Sequence, residues 1–384
     1  MNILVISPGY PTSKTIDFIF VDQLCRAFAD GMHTINVIAP QSLTKSIIRR
    51  VPIVKKISLI RTINGNNIYV HRPLYLTFGN SKLSRSLNNV NFNNAVERSF
   101  KKLKDKPDVC YGHFWGSAIS IFRLAKKFDI PLVVSSGEEE ITIQETHSSK
   151  LFKEFINYIT CIISVSSKNK SEIISAKLAD EDKCMVIPNA VDSKLFYKKE
   201  KSKSRELLKF PLNDFIVVFV GQFNERKGIL RLDQALQELK DTSIKAIFIG
   251  SGPQIPNYEN IIHMGMVQHQ NLPDYLNCAD VFVLPTLNEG CSNSIVEAMA
   301  CGIPIISSDR SFNHDILDAK NSLLIDPTNI SEIADAIYSI KTDSKLQTLL
   351  SKNALLTSSK LSIEKRAEKI IRYIQQEIGT KIEK

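Results

Sequence analysis

Runs of four to six apolar residues alternate along this chain with longer stretches in which apolar positions recur every three or four residues. The runs Asn2–Ser7, Ile35–Ala39, Ile68–His71, Asp108–Tyr111 and Leu132–Ser135 read as buried strands, whereas Phe18–Phe28, Asn91–Lys104 and Gly116–Phe128 carry a helical period. Apolar strands separated by helices belong to a parallel sheet covered on both faces, so the expected class is α/β with β-α-β connections throughout. The second half repeats the scheme. Phe215–Val220, Ala246–Gly250, His263–Val267 and Ala279–Pro285 read as strands, and Ile229–Leu239, Leu272–Cys278 and Ile295–Ala300 as helices. Ile305–Ser308 and Ser322–Ile325 complete the strand set, and the chain turns helical from Ser331. Met185–Asp192 closes the first set, and the polar run Tyr197–Lys209 reads as a linker. The pattern predicts two domains, 1–195 and 196–360, and a closing helix within 361–384.

The chain has 384 residues, 43% hydrophobic and 23% charged, enough for two full cores. No apolar run approaches the roughly 18 residues of a membrane span, and Met1 leads straight into a strand with no basic leader, so a cytoplasmic protein is expected. The seven cysteines include no C-x-x-C pair and fall mostly in apolar segments, which indicates reduced core thiols rather than a zinc site or a disulfide frame.

The net charge of +9 is uneven: Lys and Arg exceed Asp and Glu by ten over residues 1–198 and fall one short over residues 199–384. No helix-turn-helix, RNA-binding or zinc-finger pattern accompanies the basic half, so nucleic acid is not the expected partner. The stretch Ser42–Thr62 holds Lys45, Arg49, Arg50, Lys55, Lys56 and Arg61 among isoleucines and valines without one acid. Such a basic amphipathic stretch is a candidate for an anionic membrane surface; the alternative is a solvated connection docked on the domain.

Two loops carry candidate chemistry. After Phe215–Val220 comes Gly221-Gln222-Phe223-Asn224-Glu225-Arg226-Lys227-Gly228, where a strand end, two cations and a helix start make a place for a diphosphate. After the strand ending at Pro285, Glu289 leads a loop and Glu297, eight positions on, rides the next helix. Ser294-x-x-Glu297 is also legible as a capping box, with Ser292 or Asn293 as the better cap. The first loop of the chain holds only Gly9, not G-x-G-x-x-G, which disfavours nicotinamide chemistry. His113 and the trio Glu138, Glu139 and Glu140 follow strands and should lie at their carboxyl ends, with Glu138 nearest. Asp180-Glu181-Asp182 imitates a metal motif but follows the helical pattern Lys170–Leu178, so it reads as a surface turn and no metal is implied.

Glu289-Gly290 followed by Glu297-Ala298-Met299-Ala300-Cys301-Gly302-Ile303-Pro304 resembles the E-x7-E segment of the family 4 retaining glycosyltransferases. The resemblance spans nearly the whole chain and is sharpest from Gly221 to Pro304. It implies the GT-B fold, two Rossmann-like parallel-sheet domains facing a cleft, with the last helix returning to the first domain. It assigns Glu289 to the donor sugar hydroxyls, Glu297 to the ribose, the backbone of Gly290, Cys291, Ser292, Asn293 and Ser294 to the diphosphate, and Gly265, Met266 and Val267 to the base. Gly9 and Gly221 then lie near the donor phosphates, and Lys227 matches the family cation. Gln222 stands where the family has Arg, so Arg226 is the candidate replacement. Asp17 and Phe18 stand where a second loop glycine is expected, Ser136 where the family has a His, and Ala190 where a hinge Gly is commoner. His113 and Glu138 become acceptor-side candidates. The implied activity is metal-independent, retaining transfer of a hexose from a nucleotide diphosphate sugar, with no separate cofactor, to a hydroxyl of a glycan or lipid-linked acceptor in cell-surface polysaccharide or glycolipid synthesis. A sugar-nucleotide epimerase or a phosphorylase on the same fold is the alternative.

Overall fold

The computed structural model describes the chain apart from residues 13–17, 49, 51, 80, 139–140, 142, 144–148 and 383–384. Asp17, Arg49, Glu139 and Glu140, named above, therefore lie outside the described residues. The chain divides into two compact units. The first comprises Met1–Val165, Asn169–Ile187 and Arg366–Lys384, and the second Ser166–Lys168 and Pro188–Lys365.

In chain order the first unit contains β1 (Asn2–Ile6), α1 (Ile19–Asp30), β2 (Thr34–Ile38), β3 (Gln41–Ser42), α2 (Leu43–Ile48), β4 (Ile57–Arg61), β5 (Asn67–His71) and β6 (Leu74–Tyr75). It continues with α3 (Lys82–Phe100), β7 (Val109–His113), α4 (Trp115–Lys127), β8 (Leu132–Ser136), α5 (Ser149–Tyr158), β9 (Cys161–Ser164), α6 (Ser167–Ser175) and β10 (Cys184–Val186). Eight strands form one sheet in the order β10-β9-β8-β7-β1-β2-β5-β4, and β3 and β6 make a separate short parallel pair. The central strands are buried at nearly every position because helices cover both faces. Leu4, Val134 and Ile162 from the sheet pack with Trp115, Phe122 and Phe155 in one apolar cluster.

Four features depart from the sequence reading. Strand β4 runs antiparallel to β5, so the sheet is not parallel throughout. It lies inside the basic stretch, where alternating exposure hides a strand among cations. Helix α3 begins at Lys82, ahead of the expected Asn91, because its first turns are not apolar on a buried face. Helix α5 and the buried strand β9 were not anticipated.

The second unit contains α7 (Lys201–Leu208), β11 (Phe215–Val220), α8 (Ile229–Leu239), β12 (Ile244–Ile249), β13 (Ile261–Gly265), α9 (Leu272–Asn277) and β14 (Val281–Leu284). Then come α10 (Asn293–Ala300), β15 (Ile305–Ser308), β16 (Ser322–Ile325), α11 (Ile330–Thr342) and α12 (Ser344–Ser358); α13 (Ile363–Ile382) follows and belongs to the first unit from Arg366 onward. The six strands of the second unit are all parallel, in the order β13-β12-β11-β14-β15-β16. The order reverses between β11 and β14, so the loops after those two strands flank the switch point where such sheets bind ligands.

The fourth departure is α7, which replaces the expected linker. Arg205 on this helix is buried and donates to Asp280 at 2.6 Å and to the carbonyls of Cys278, Leu212 and Asp214. A polar segment is ordered here by a buried ion pair, which composition does not reveal. All seven cysteines are buried, and none is in a disulfide. No helix among the described residues is long and apolar enough to cross a membrane.

Candidate active site

The second unit brings the two candidate loops together. Gly228 has φ +77°, and a Cβ on it would lie 2.3 Å from the Pro285 carbonyl oxygen, so only glycine permits this packing. That contact seats the β11–α8 loop against the end of β14, and the Leu287 N–H donates to the Arg226 carbonyl at 2.8 Å. Lys227 Nζ and Arg226 Nη1 both donate to Oε1 of Glu289, the latter at 3.0 Å. Thr286 Oγ1 lies 3.0 Å from the same oxygen, and Arg226 Nη1 also reaches the Asn288 carbonyl at 2.7 Å. Glu289 is 7% exposed, so these contacts form where water screens them weakly. Gln222 is exposed, and its side-chain oxygen accepts from Asn224 Nδ2 at 3.0 Å.

Helix α10 starts directly behind Glu289. Ser292 occupies the N-cap position, yet its hydroxyl lies 3.1 Å from Ser294 Oγ and makes no cap hydrogen bond. The Ser292 side chain thus takes none of the first N–H groups of the helix. The capping-box reading of Ser294-x-x-Glu297 is not what forms: Glu297 Oε1 meets His269 Nε2 at 3.0 Å. The His269 ring packs edgewise on Phe196, with centroids 5.1 Å apart. At the other end, Gly302 N bonds the Met299 carbonyl and Ile303 N that of Ala298, a Schellman stop with Gly302 at φ +70°. Gly290, Cys291 and Ser292 are buried, and Asn293 and Ser294 half-buried. Asn189 Nδ2 fixes the Cys291 carbonyl at 2.9 Å.

Gly221, just past β11, and Gly265, at the end of β13, flank the end of β12 on either side. Gly221 N donates to the Ile249 carbonyl at 2.9 Å, and Gly250 N to that of Gly265 at 3.0 Å. Met266 is exposed and Val267 half-buried just beyond β13. The turn that follows carries His269 to Glu297, so the segment expected to meet a base is tied to the carboxylate expected to meet a ribose. Thr286 and Asn288 sit in the loop that the sequence reading centred on Glu289, and their position beside it was the available signal. His269, 28 residues from Glu297 along the chain, gives none.

In the first unit, Gly9, His113 and Glu138 gather at the carboxyl edge of β1, β7 and β8, but none of the three presents a free polar side-chain group to the surface. A Cβ on Gly9 would come within 2.7 Å of the Phe18 ring, so this glycine makes room for an aromatic side chain. Phe18, Phe20 and Phe114 are half-buried and mutually packed, and His113 lies beneath them, 4.5 Å from the Phe114 ring centroid. Phe18 and Phe114 hold φ of 59° and 74°, a backbone region that bulky residues rarely adopt. Burial pushes the His113 imidazole down to about 3, with the Arg366 charge adding to the effect, and its Nδ1 has no hydrogen-bond partner among the described residues. Glu138 accepts from Trp115 N at 2.7 Å, Gly137 N at 2.9 Å and Ser136 Oγ at 3.2 Å. It thereby caps α4, and Ser136 links it to the Trp115 indole at 2.9 Å. Burial raises the Glu138 pKa while the N–H donors oppose that shift. Asp180–Asp182 leads through a short 3₁₀ turn into β10.

Two family descriptions match this chain: Glycosyltransferase Family 4 over residues 19–195, and Glycosyl transferases group 1 over residues 214–343. A Bacillus subtilis glycosyltransferase named for teichuronic acid biosynthesis, TuaC, is 28% identical over 354 residues, 88% of each chain. Sucrose-phosphate synthase from Thermosynechococcus elongatus superimposes with a TM-score of 0.79 at 20% identity, covering 99% of both chains. HepE of Anabaena, crystallised with UDP-glucose, superimposes with a TM-score of 0.69 at 17% identity over 100% of both chains. The two matches together span most of the chain, and this chain is a glycosyltransferase of family 4 with the GT-B fold.

Proposed function

We propose that the protein transfers a hexose from a nucleotide diphosphate sugar, with retention and without a metal ion or separate cofactor, to a hydroxyl of a glycan or lipid-linked acceptor. The setting is cell-surface polysaccharide or glycolipid synthesis, at the cytoplasmic face of a membrane that the Ser42–Thr62 stretch touches. The observation carrying this reading is the convergence of Arg226 and Lys227 on Glu289 at the start of α10. As the bond from the anomeric carbon to phosphate breaks, the diphosphate gains negative charge. Arg226, Lys227 and the uncapped N–H groups of α10 are placed to stabilise it. Glu289 Oε1 is already engaged by three donors, which suits an acceptor of sugar hydroxyl protons better than a nucleophile. The acceptor oxygen then attacks from the side the phosphate leaves, and the departing phosphate oxygen takes its proton.

Glu297 with His269 is the proposed ribose site, with Gly265–Val267 beside the base. TuaC's name supports polysaccharide synthesis, and the UDP-glucose held by HepE supports a nucleotide-sugar donor. In the first unit, His113 and Glu138 act on the acceptor from below, by holding Phe114 and Trp115 in place. Thermal shift against UDP, GDP and ADP tests the donor site, since a ligand that binds the folded chain raises its melting temperature. Turnover of the matching nucleotide sugar in EDTA, with the product anomer read by NMR, tests the rest. Inversion, loss of turnover in EDTA, or no stabilisation by any of the three nucleotides would overturn the reading.

A further inference from the structure

The first unit carries a surface that transfer chemistry leaves unused. Ile47 and Ile48 on α2, Phe78 beyond β6, and Leu83, Leu87 and Val90 on α3 stand in water, with Ile48 75% and Leu83 74% exposed. The three α3 residues fall at helical spacing and so form one stripe. On the sheet edge, Leu59 pairs with Tyr69 across β4 and β5, and both are exposed. Hydrogen bonds join these pieces. Ser42 Oγ meets Thr77 Oγ1 at 2.6 Å, Thr77 N donates to Thr44 Oγ1 at 3.2 Å, and the Asn88 amide holds both the N–H and the carbonyl of Phe78. Segments 43–48, 76–78 and 83–90 are therefore one connected lobe.

The charge on this lobe has one sign. Lys45, Arg50, Lys55, Lys56 and Arg85 are exposed on or beside it, and the sequence contains no Asp or Glu from residue 31 to residue 96. Exposed aliphatic side chains in such number mark a surface that is covered in use. A second copy in a twofold dimer would set this face against itself, cation opposite cation. A nucleic acid would engage the cations and leave the isoleucines and leucines in water. A bilayer with anionic headgroups accommodates both, taking aliphatic side chains into the acyl boundary and leaving Lys and Arg among the phosphates.

We propose that segments 43–48, 53–59, 76–78 and 83–90 together dock the chain on an anionic lipid bilayer. The inference rests on the peripheral placement given above and widens it from Ser42–Thr62 to a composite surface that includes Phe78 and the α3 stripe. Flotation with vesicles of phosphatidylcholine, pure or with about a third phosphatidylglycerol, tests it. The wild-type chain floats with the anionic vesicles at low salt and is released by high salt. Lys55→Glu/Lys56→Glu weakens partition by about thirty-fold or more, and Leu83→Ser/Leu87→Ser abolishes it. All four side chains are exposed, so circular dichroism should show both variants folded. The proposal is overturned if the wild type stays in solution, floats equally with neutral vesicles, or keeps its partition in either variant. It is also overturned by a lipid-free dimer in ultracentrifugation that Leu83→Ser/Leu87→Ser dissolves. UDP calorimetry on the same samples separates the two readings: nucleotide binding without flotation ends the docking proposal alone, and flotation without nucleotide binding ends the donor-site reading alone.

Discussion

Lys227 and Glu289, 62 residues apart in sequence, meet at a single carboxylate oxygen that Arg226 also contacts. The carboxylate therefore offsets part of the cationic charge that a diphosphate needs, and the two residues should respond oppositely to removal. Lys227→Ala is expected to weaken UDP binding by about 10- to 100-fold, the range for a charge-assisted hydrogen bond. Glu289→Gln should leave UDP binding unchanged or tighter while lowering kcat/KM for the sugar nucleotide by a similar factor. Calorimetry for UDP and steady-state rates for the donor distinguish them, and parallel losses of UDP binding in both variants would contradict the arrangement.

Gly228 is the hinge pin of that meeting. Gly228→Ala forces a Cβ against the Pro285 carbonyl at a backbone angle that disfavours L side chains. A loss of about 1–3 kcal/mol in urea unfolding is expected, with weaker UDP binding, because the loop carrying Lys227 must shift away from Glu289. Unaltered stability would show that the loop adapts freely.

His113 should make the protein acid-sensitive. The unfolded imidazole takes a proton near pH 6.5, whereas the folded one refuses it until about 3. The stability it lends is complete above the unfolded value and is lost as pH falls from 6.5 toward 3. Between pH 7 and pH 5 the loss is about 2 kcal/mol. Glu138, whose pKa burial raises, contributes with the opposite sign, so the relevant quantity is the wild type compared with His113→Gln. Urea melts at both pH values should show the smaller pH dependence in the variant.

Arg205→Met leaves Asp280 in the interior without its guanidinium partner, with Lys201 and the Ile216 N–H still bound to it. Removing one member of a buried pair costs about 3–5 kcal/mol, so the variant should melt well below the wild type. A change within about half a kcal/mol, the usual effect at a surface site, would mean that α7 is not anchored by this pair.

Much of this architecture was legible locally. Phe215–Val220 and Leu132–Ser135 are apolar at nearly every position because strands covered on both faces have no polar side to show. The loops after β11 and β14 were legible for a related reason: cations and glycines at a helix start, and acids on the next loop, are composition signals. Three of the four departures share a cause too. Helix α7 is ordered by one buried arginine, β4 hides among lysines, and the start of α3 turns its apolar stripe to solvent, so in each the polarity pattern runs against the rule that apolar means inside.

By itself the sequence determined where strands and helices alternate, that two sheets form, and which loops carry the acids and cations, since each follows from side chains within a turn or a strand of one another. Only the tertiary structure decided that Arg226, Lys227 and Thr286 share one oxygen of Glu289, that Glu297 turns to His269 instead of capping its own helix, and that Glu138 closes the start of α4. Those partners are set by how strands β11, β13 and β14 and the edges of β7 and β8 align in their sheets, and strand order and register are properties of the packed sheet that no local stretch of chain contains.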